Sequence, residues 1–331
     1  DALWRLWSLV GRRVLGKRRE GYLSLYGPLS LLLLLMSWAV TLIFAFGVVQ
    51  WALGSNLHGG GRVSAISFGT DLYMSGTTFF TLGLGDVTPT TAWARFTTVF
   101  EAGVGFGFLA LVIGYLPVLY QAFSRREVSV SLLDARAGSP PTAIAMLTRC
   151  CQDDSDGALL VILREWELWS AELLESHLSY PTLAYFRSQH EDQSWVASLT
   201  AVLDTCALVL SGIEVPSVRR QARLTFAIAR HAAVDLAQIL NAPYSETMAP
   251  KRLTKETWPD LRDHLRAQGL AFSGDPSAKQ QFTHLRRMYE PYLQALSDHL
   301  LMPLPPWLPD EDKRDDWESE PSAIAEALPQ L

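Results

Sequence analysis

The sequence predicts an all-α membrane protein in which two transmembrane helices flank a short re-entrant helix and lead into an all-α cytoplasmic bundle. Three observations predict it. No Asp, Glu, Lys or Arg lies between Glu20 and Arg62, and about 20 apolar residues suffice to cross the hydrocarbon core as a helix. A second apolar stretch runs from Ala92 to Phe123 and is closed by Arg125-Arg126. Beyond Ser131 the composition shifts, and apolar side chains recur three and four apart with charges between them, as on amphipathic helices. With 49% hydrophobic and 19% charged residues in 331, the chain is too polar for a many-helix transporter and suits a few spans joined to a sizeable soluble part.

The net charge is −6, basic residues crowd the first twenty positions, and Asp310 to Glu320 is acidic. Because the basic cluster adjoins an apolar span and the tail is negative, no nucleic-acid surface is expected. Cys150, Cys151 and Cys206 make an odd count without metal-ligand spacing, in keeping with reduced thiols in cytosol. The chain opens on Asp1 rather than Met, so native residues are expected to precede it.

Residues 1–20 read as an amphipathic interfacial helix. Leu3, Leu6, Trp7, Val10 and Val14 recur at helical spacing, with Trp4 beside them and Arg5, Arg12, Arg13, Lys17, Arg18 and Arg19 around them. Indoles at headgroup level and cations against anionic inner-leaflet lipid would hold it to the membrane. A signal peptide shares the basic start, but the apolar run that follows is too long for one. That run, Pro28 to Leu53, is the first spanning helix; its Leu31 to Met36 segment has no polar face, and Trp51 suits the outer interface. The basic leader puts the amino terminus in the cytoplasm. Gly54 to Gly69 reads as an exposed outer loop. Gly69-Thr70-Asp71 offers a capped start for a helix to about Phe80, too short to span and therefore re-entrant.

Thr81-Leu82-Gly83-Leu84-Gly85-Asp86 follows. Glycines alternate with leucines there, so the backbone can alternate its conformation, because glycine enters the left-handed region at little steric cost. A bare Gly-x-Gly is common in turns; the flanking helices give this one its context. In that context the segment resembles the selectivity filter of potassium channels, usually Thr-Val-Gly-Tyr-Gly-Asp. The resemblance implies that backbone carbonyls of Thr81, Leu82, Gly83, Leu84 and Gly85, with the Thr81 hydroxyl innermost, replace the hydration shell of K+. It implies K+ sites at Thr81, Leu82, Gly83 and Leu84, and four copies around the ion. The leucine side chains would pack outward against the pore wall. The re-entrant pore helix would aim the negative end of its dipole at the central cavity.

The second spanning helix, Ala92 to Phe123, contains Gly103, Gly105, Gly107, Gly114 and Pro117. Small residues permit close helix packing in lipid, and Pro117 removes a helical hydrogen bond where a kink near the inner mouth could form. In channels that this chain resembles, an inner-helix glycine about twenty residues past the filter is the gating hinge, and Gly105 holds the matching position. Glu101 is the only carboxylate in the span, and a charge at that depth needs water or a partner. It faces either the pore cavity or Ser75, Thr77 or Thr78 behind the filter, where it would support the filter. With Arg125-Arg126 inside, both termini are expected to be cytoplasmic.

Residues 22–125 thus resemble the two-transmembrane-helix pore domain of prokaryotic potassium channels: homotetramers in the cell membrane that pass K+ passively, without enzymatic activity and without a cofactor beyond the permeant ion. By position, Asp86 carries over as the polar anchor of the outer mouth and Tyr73 as a pore-helix aromatic. The departures are Leu84 for tyrosine, Met74 for an aromatic partner, and Thr77 where some relatives pair a glutamate with the aspartate. They remove hydrogen bonds that brace the filter and leave the carbonyl ladder intact, so a weakly selective cation channel is the alternative. A nonconducting membrane scaffold or signalling protein is the second.

The remainder is expected to comprise a linker at 126–141, a cytoplasmic helical domain at 142–302, and a proline-rich, acidic tail at 303–331. Helices are expected around Ile162 to Leu173, Ser194 to Ser211 (ended by Gly212), Pro216 to Asn241, Thr257 to Gln268 and Ser277 to Leu301, with the domain acting on the inner helices through Phe123 to Ser131. No Gly-x-Gly-x-x-Gly fingerprint follows a strand, which disfavours a nucleotide-sensing Rossmann domain, and no cytoplasmic ligand is identified. Arg219, Arg223 and Arg230 share an approximate face that could hold a phosphate or form salt bridges. His231 and Asp235 lie four apart as a surface pair, and Cys150-Cys151 reads as structural thiols before a redox pair.

Overall fold

The computed structural model describes residues 2–14, 17–59, 67–151, 156–188, 193–213, 216–244, 252–253, 258–270, 272–273 and 275–308. The expected acidic tail beyond 308 lies outside them, as do the middle of the outer loop and the side chain of Cys151. The chain divides into two compact units, Pro28–Gln121 and a second formed by Asp1–Gly27 with Ala122–Leu331.

The first unit is built from α3 (Tyr26–Ala52), the short strands β1 (Leu57–Gly59) and β2 (Val87–Pro89), α4 (Phe68–Phe79), and the first part of α5 (Ala92–Ala137). At about 1.5 Å per residue, the 27 residues of α3 reach about 40 Å, enough to cross a hydrocarbon core. Only 11% of the most apolar window of each long helix is buried, the opposite of a soluble core helix and the condition of a helix solvated by lipid. Gly54 to Gly69 does not behave wholly as an exposed loop. Its Leu57–Gly59 segment pairs antiparallel with Val87–Pro89, Leu57 opposite Pro89 and Gly59 opposite Val87, and Leu57, Val87 and Met74 form a small apolar cluster. Helix α4 starts earlier than Gly69. Ser67 is its N-cap and forms a capping box with Thr70, so Asp71 sits inside the first turn.

The second unit is an all-α bundle. Its helices are α1 (Ala2–Gly11), α2 (Lys17–Ser24), the end of α5, α6 (Ala143–Cys151), α7 (Asp156–Ser179), α8 (Trp195–Ser211), α9 (Pro216–Ile239), α10 (Trp258–Ala267), α11 (Pro276–Arg287) and α12 (Glu290–Leu300), with a 3-10 turn at Pro181–Tyr185. Every residue of α8 is buried, which makes it the central helix. Ser194 caps it, accepting from the Ala197 amide at 3.0 Å, and Gly212 ends it where a Cβ would lie 2.5 Å from the Phe272 ring. The expected single helix Ser277 to Leu301 is two: Tyr289 breaks it with a non-helical φ of −134°, and Pro291 lies in the first turn of α12, where its missing N–H costs nothing. Among the described residues of the bundle, buried charges are held by hydrogen bonds. Asp204 of α8 takes Arg252 at 2.5 Å and the Tyr289 hydroxyl at 2.6 Å, and Arg286 meets Glu290 at 2.7 Å.

Two expectations are corrected in this unit. The residues expected as a linker from 126 continue α5 without a break to Ala137, because Val130, Leu133 and Ala137 present an apolar face to the bundle core. In the leader, Trp4 turns its indole to protein rather than to headgroup level: it is 3% exposed, its Nε1 donates to the His299 carbonyl at 2.8 Å, and its ring meets Tyr26 and Tyr185. Leu3, Leu6, Leu9 and Val10 form the exposed side of α1 instead. Arg219 and Arg230 each donate to a backbone carbonyl, that of Leu210 at 3.1 Å and that of Met288 at 3.2 Å. His231 and Asp235 pair at 3.4 Å on the surface, and Cys150 and Cys206 are buried.

The C-terminal part of α5 is seated by Arg126. Its guanidinium is buried and donates to the carbonyls of Leu183 (2.9 Å) and Phe186 (2.7 Å) and to Glu127 (2.9 Å), with Phe123 under its face at 5.3 Å. His177 lies 3.2 Å from the same guanidinium and donates from Nδ1 to the Leu173 carbonyl at 2.8 Å, which leaves Nε2 as the acceptor for Arg126. Burial, reinforced by the Arg126 charge, pushes His177 down to about 3.

Candidate ion-conduction site

Helix α4 ends at Phe79, and the next residues turn sharply because their amides bond back to it. The Thr81 amide donates to the Thr78 carbonyl at 2.9 Å, and the amides of Leu82 and Gly83 both reach the Thr77 carbonyl, at 2.8 and 3.4 Å. Thr81, Gly83 and Gly85 have φ of +56°, +54° and +78°, so every second residue is left-handed. Gly83 and Gly85 enter that region freely; Thr81 does so at a steric cost that its two flanking turn bonds offset. Among the described residues, no hydrogen bond ends on the carbonyl oxygens of Thr81 to Gly85. An extended strand with alternate left-handed residues and free carbonyls can offer successive oxygens to a cation. Leu82 and Leu84 are 61% and 62% exposed in the single chain.

The C-terminal end of this strand is pinned twice. Asp86 accepts from the Tyr73 hydroxyl at 2.9 Å through Oδ2 and from the Val87 amide at 3.1 Å through Oδ1, and β2 then pairs with β1. Tyr73 and Asp86 are therefore brought together. The Thr77 side chain is not part of that contact: its hydroxyl donates to the Met74 carbonyl at 2.9 Å within α4, and it is the Thr77 backbone carbonyl that holds the strand.

Behind α4, Glu101 is buried and bonded to the Ser75 hydroxyl, which also lies 2.7 Å from the Ile43 carbonyl. One side chain thus ties α3, α4 and α5 at a single level. One turn further along α5, Gly105 approaches the end of α4 so closely that a Cβ would lie 2.1 Å from the Phe79 carbonyl oxygen. Its glycine has a packing reason independent of any hinge, whereas a Cβ on Gly103, Gly107 or Gly114 would meet nothing within 4 Å. Pro117 lies within the unbroken α5.

Gln50 escaped sequence reasoning, and Asp71 was read there only as part of a capped helix start. Gln50 of α3 donates to the Ala94 carbonyl at 3.2 Å and the Thr98 hydroxyl at 3.1 Å, and Asp71 accepts from the Ser55 hydroxyl at 2.7 Å. The signal available was a polar residue in an otherwise apolar window, and only the three-helix arrangement identifies its partner.

Comparison with known proteins bears on this segment. Residues 31–121 match a family described as ion channel. A membrane protein of Bacillus subtilis (strain 168), "Uncharacterized membrane protein YdjJ", is 28% identical over 200 residues, which cover 60% of this chain and 57% of the relative, so the match spans little more than half of that relative's length. No solved structure matches. Two apolar helices, a short helix between them and, among the described residues, a strand of unpaired carbonyls at its end thus lie in the segment, residues 31–121, that is similar to this ion-channel family.

Proposed function

We propose that the chain is the subunit of a homotetrameric, potassium-selective channel of the cell membrane, with both termini in the cytoplasm, that passes K+ down its gradient through Thr81 to Gly85. The alternation of left-handed φ at Thr81, Gly83 and Gly85, on a strand whose carbonyls carry no other hydrogen bond among the described residues, supports this reading most strongly. Four copies follow because one strand offers about one carbonyl to each ring around the ion. Asp86, Tyr73, the Thr77 carbonyl and Glu101 act as supports of the filter. The exposed apolar side of α1, with Arg5, Arg12 and Arg13 beside it, suits the anionic inner leaflet. The continuity of α5 into the bundle, and the Arg126 seat at its inner end, support gating by the cytoplasmic unit.

K+ flux from liposomes holding the full chain tests the reading, with Gly83→Ala as the negative control; no flux above empty liposomes would leave a scaffold as the better account. A second reading has its own observation. Leu84 offers no hydroxyl, and the Tyr73–Asp86 bond is the tie that remains at the outer mouth, so a weakly selective cation channel is favoured if reversal potentials in mixed K+ and Na+ lie near zero.

A further inference from the structure

We propose that the inner third of α5, together with the adjoining edge of α7, is an interface with a second copy of this chain. The proposal rests on the tetrameric reading above. On residues 122–137 of α5, Arg125, Val128, Leu132 and Arg136 recur three and four apart and so share one face. The other face of that stretch is already spent on the bundle core through Val130, Leu133 and Ala137.

What is left exposed there is apolar. Val128 and Leu132, one turn apart, are 58% and 55% exposed, and Val161 and Leu168 of α7 are 54% and 63% exposed. They share one surface, because the helices are joined along that side by Arg125–Glu172 at 4.0 Å and Arg136–Glu165 at 2.6 Å. On α5 the ion-pair residues 125 and 136 bracket Val128 and Leu132. On α7, residues 161, 165, 168 and 172 form one stripe at helical spacing. An apolar centre with a rim carrying equal numbers of both charges is self-complementary, whereas an anionic bilayer would meet Glu165 and Glu172. A second copy is thus the occupant that the surface fits.

Cysteine cross-linking on the full chain in liposomes tests this. Val128→Cys and Leu132→Cys are compared with wild type and with Asp263→Cys, an exposed site on α10; Cys150 and Cys206 are buried, so wild type sets the background. A disulfide needs Cα atoms within about 7 Å, so copper-phenanthroline oxidation is expected to yield covalent dimer about tenfold above both controls at Val128 and Leu132. The proposal is overturned if these variants cross-link no more than Asp263→Cys while native mass spectrometry counts four copies in the same preparation, in which case the tetrameric reading survives. A count of one copy overturns both, and a cross-link to a chain of another mass overturns the second-copy assignment alone.

Discussion

Replacing Gly105 by alanine separates a packing glycine from a hinge. The added methyl would lie 2.1 Å from the Phe79 carbonyl oxygen, and a tolerable contact requires α4 and α5 to separate by about 1 Å. Overpacking of that kind costs about 1–3 kcal/mol, against about 1 kcal/mol regained from alanine's helix propensity. On Gly103 the same methyl meets nothing within 4 Å, so only the propensity gain applies. Gly105→Ala should therefore be less stable than Gly103→Ala by about 1–3 kcal/mol. Because Phe79 stands two residues before Thr81, it should also lose K+ flux and selectivity together. Thermal unfolding of the detergent-solubilised chain and liposome flux are the assays. If Gly105→Ala unfolds with Gly103→Ala and changes only open probability, the close approach carries no weight and the hinge reading is the better one.

Three further outcomes are expected. The Ser75 hydroxyl has one proton and faces both the Ile43 carbonyl and Glu101, so an amide at 101 can donate to the serine while the serine donates to Ile43; Glu101→Gln should retain flux and stability, and Glu101→Ala should lose about 1–3 kcal/mol in unfolding experiments. Tyr73→Phe removes the bond to Asp86, costs about 0.5–1.5 kcal/mol, and should shift the reversal potential in mixed K+ and Na+ toward zero with flux retained. His177 is held neutral in the fold and takes up a proton on unfolding below about pH 6.5; its contribution is therefore present above that pH and is lost on acidification toward about 3, at about 1.4 kcal/mol per pH unit. Urea titrations across that window should show this slope in wild type and its reduction in His177→Gln.

The two spans, the short helix between them and the Thr81 to Asp86 strand were legible in the chain because each depends on local chemistry: apolar length for a helix in lipid, and glycine at two of the strand's three positive-φ positions, Gly83 and Gly85. The boundaries of α8 were legible for the same reason, with Ser194 and Gly212 as its stops. What lay outside local chemistry was partner choice. Arg126 looks like any inner-boundary arginine until Leu183 and Phe186, almost sixty residues away, supply its acceptors, and Trp4 looks like an interfacial indole until His299 takes its N–H. Glu101 had to find water or a partner on energetic grounds, and only the meeting of three helices selected Ser75. Residues 126–137 were expected as part of a linker, yet a face of Val130, Leu133 and Ala137 recurs at helical spacing and becomes a reason to stay helical once a core exists to bury it. Composition and spacing therefore decide which segments can cross a membrane or turn back within it; the tertiary fold decides which buried polar groups satisfy one another, since that depends on distances between residues that the chain does not place side by side.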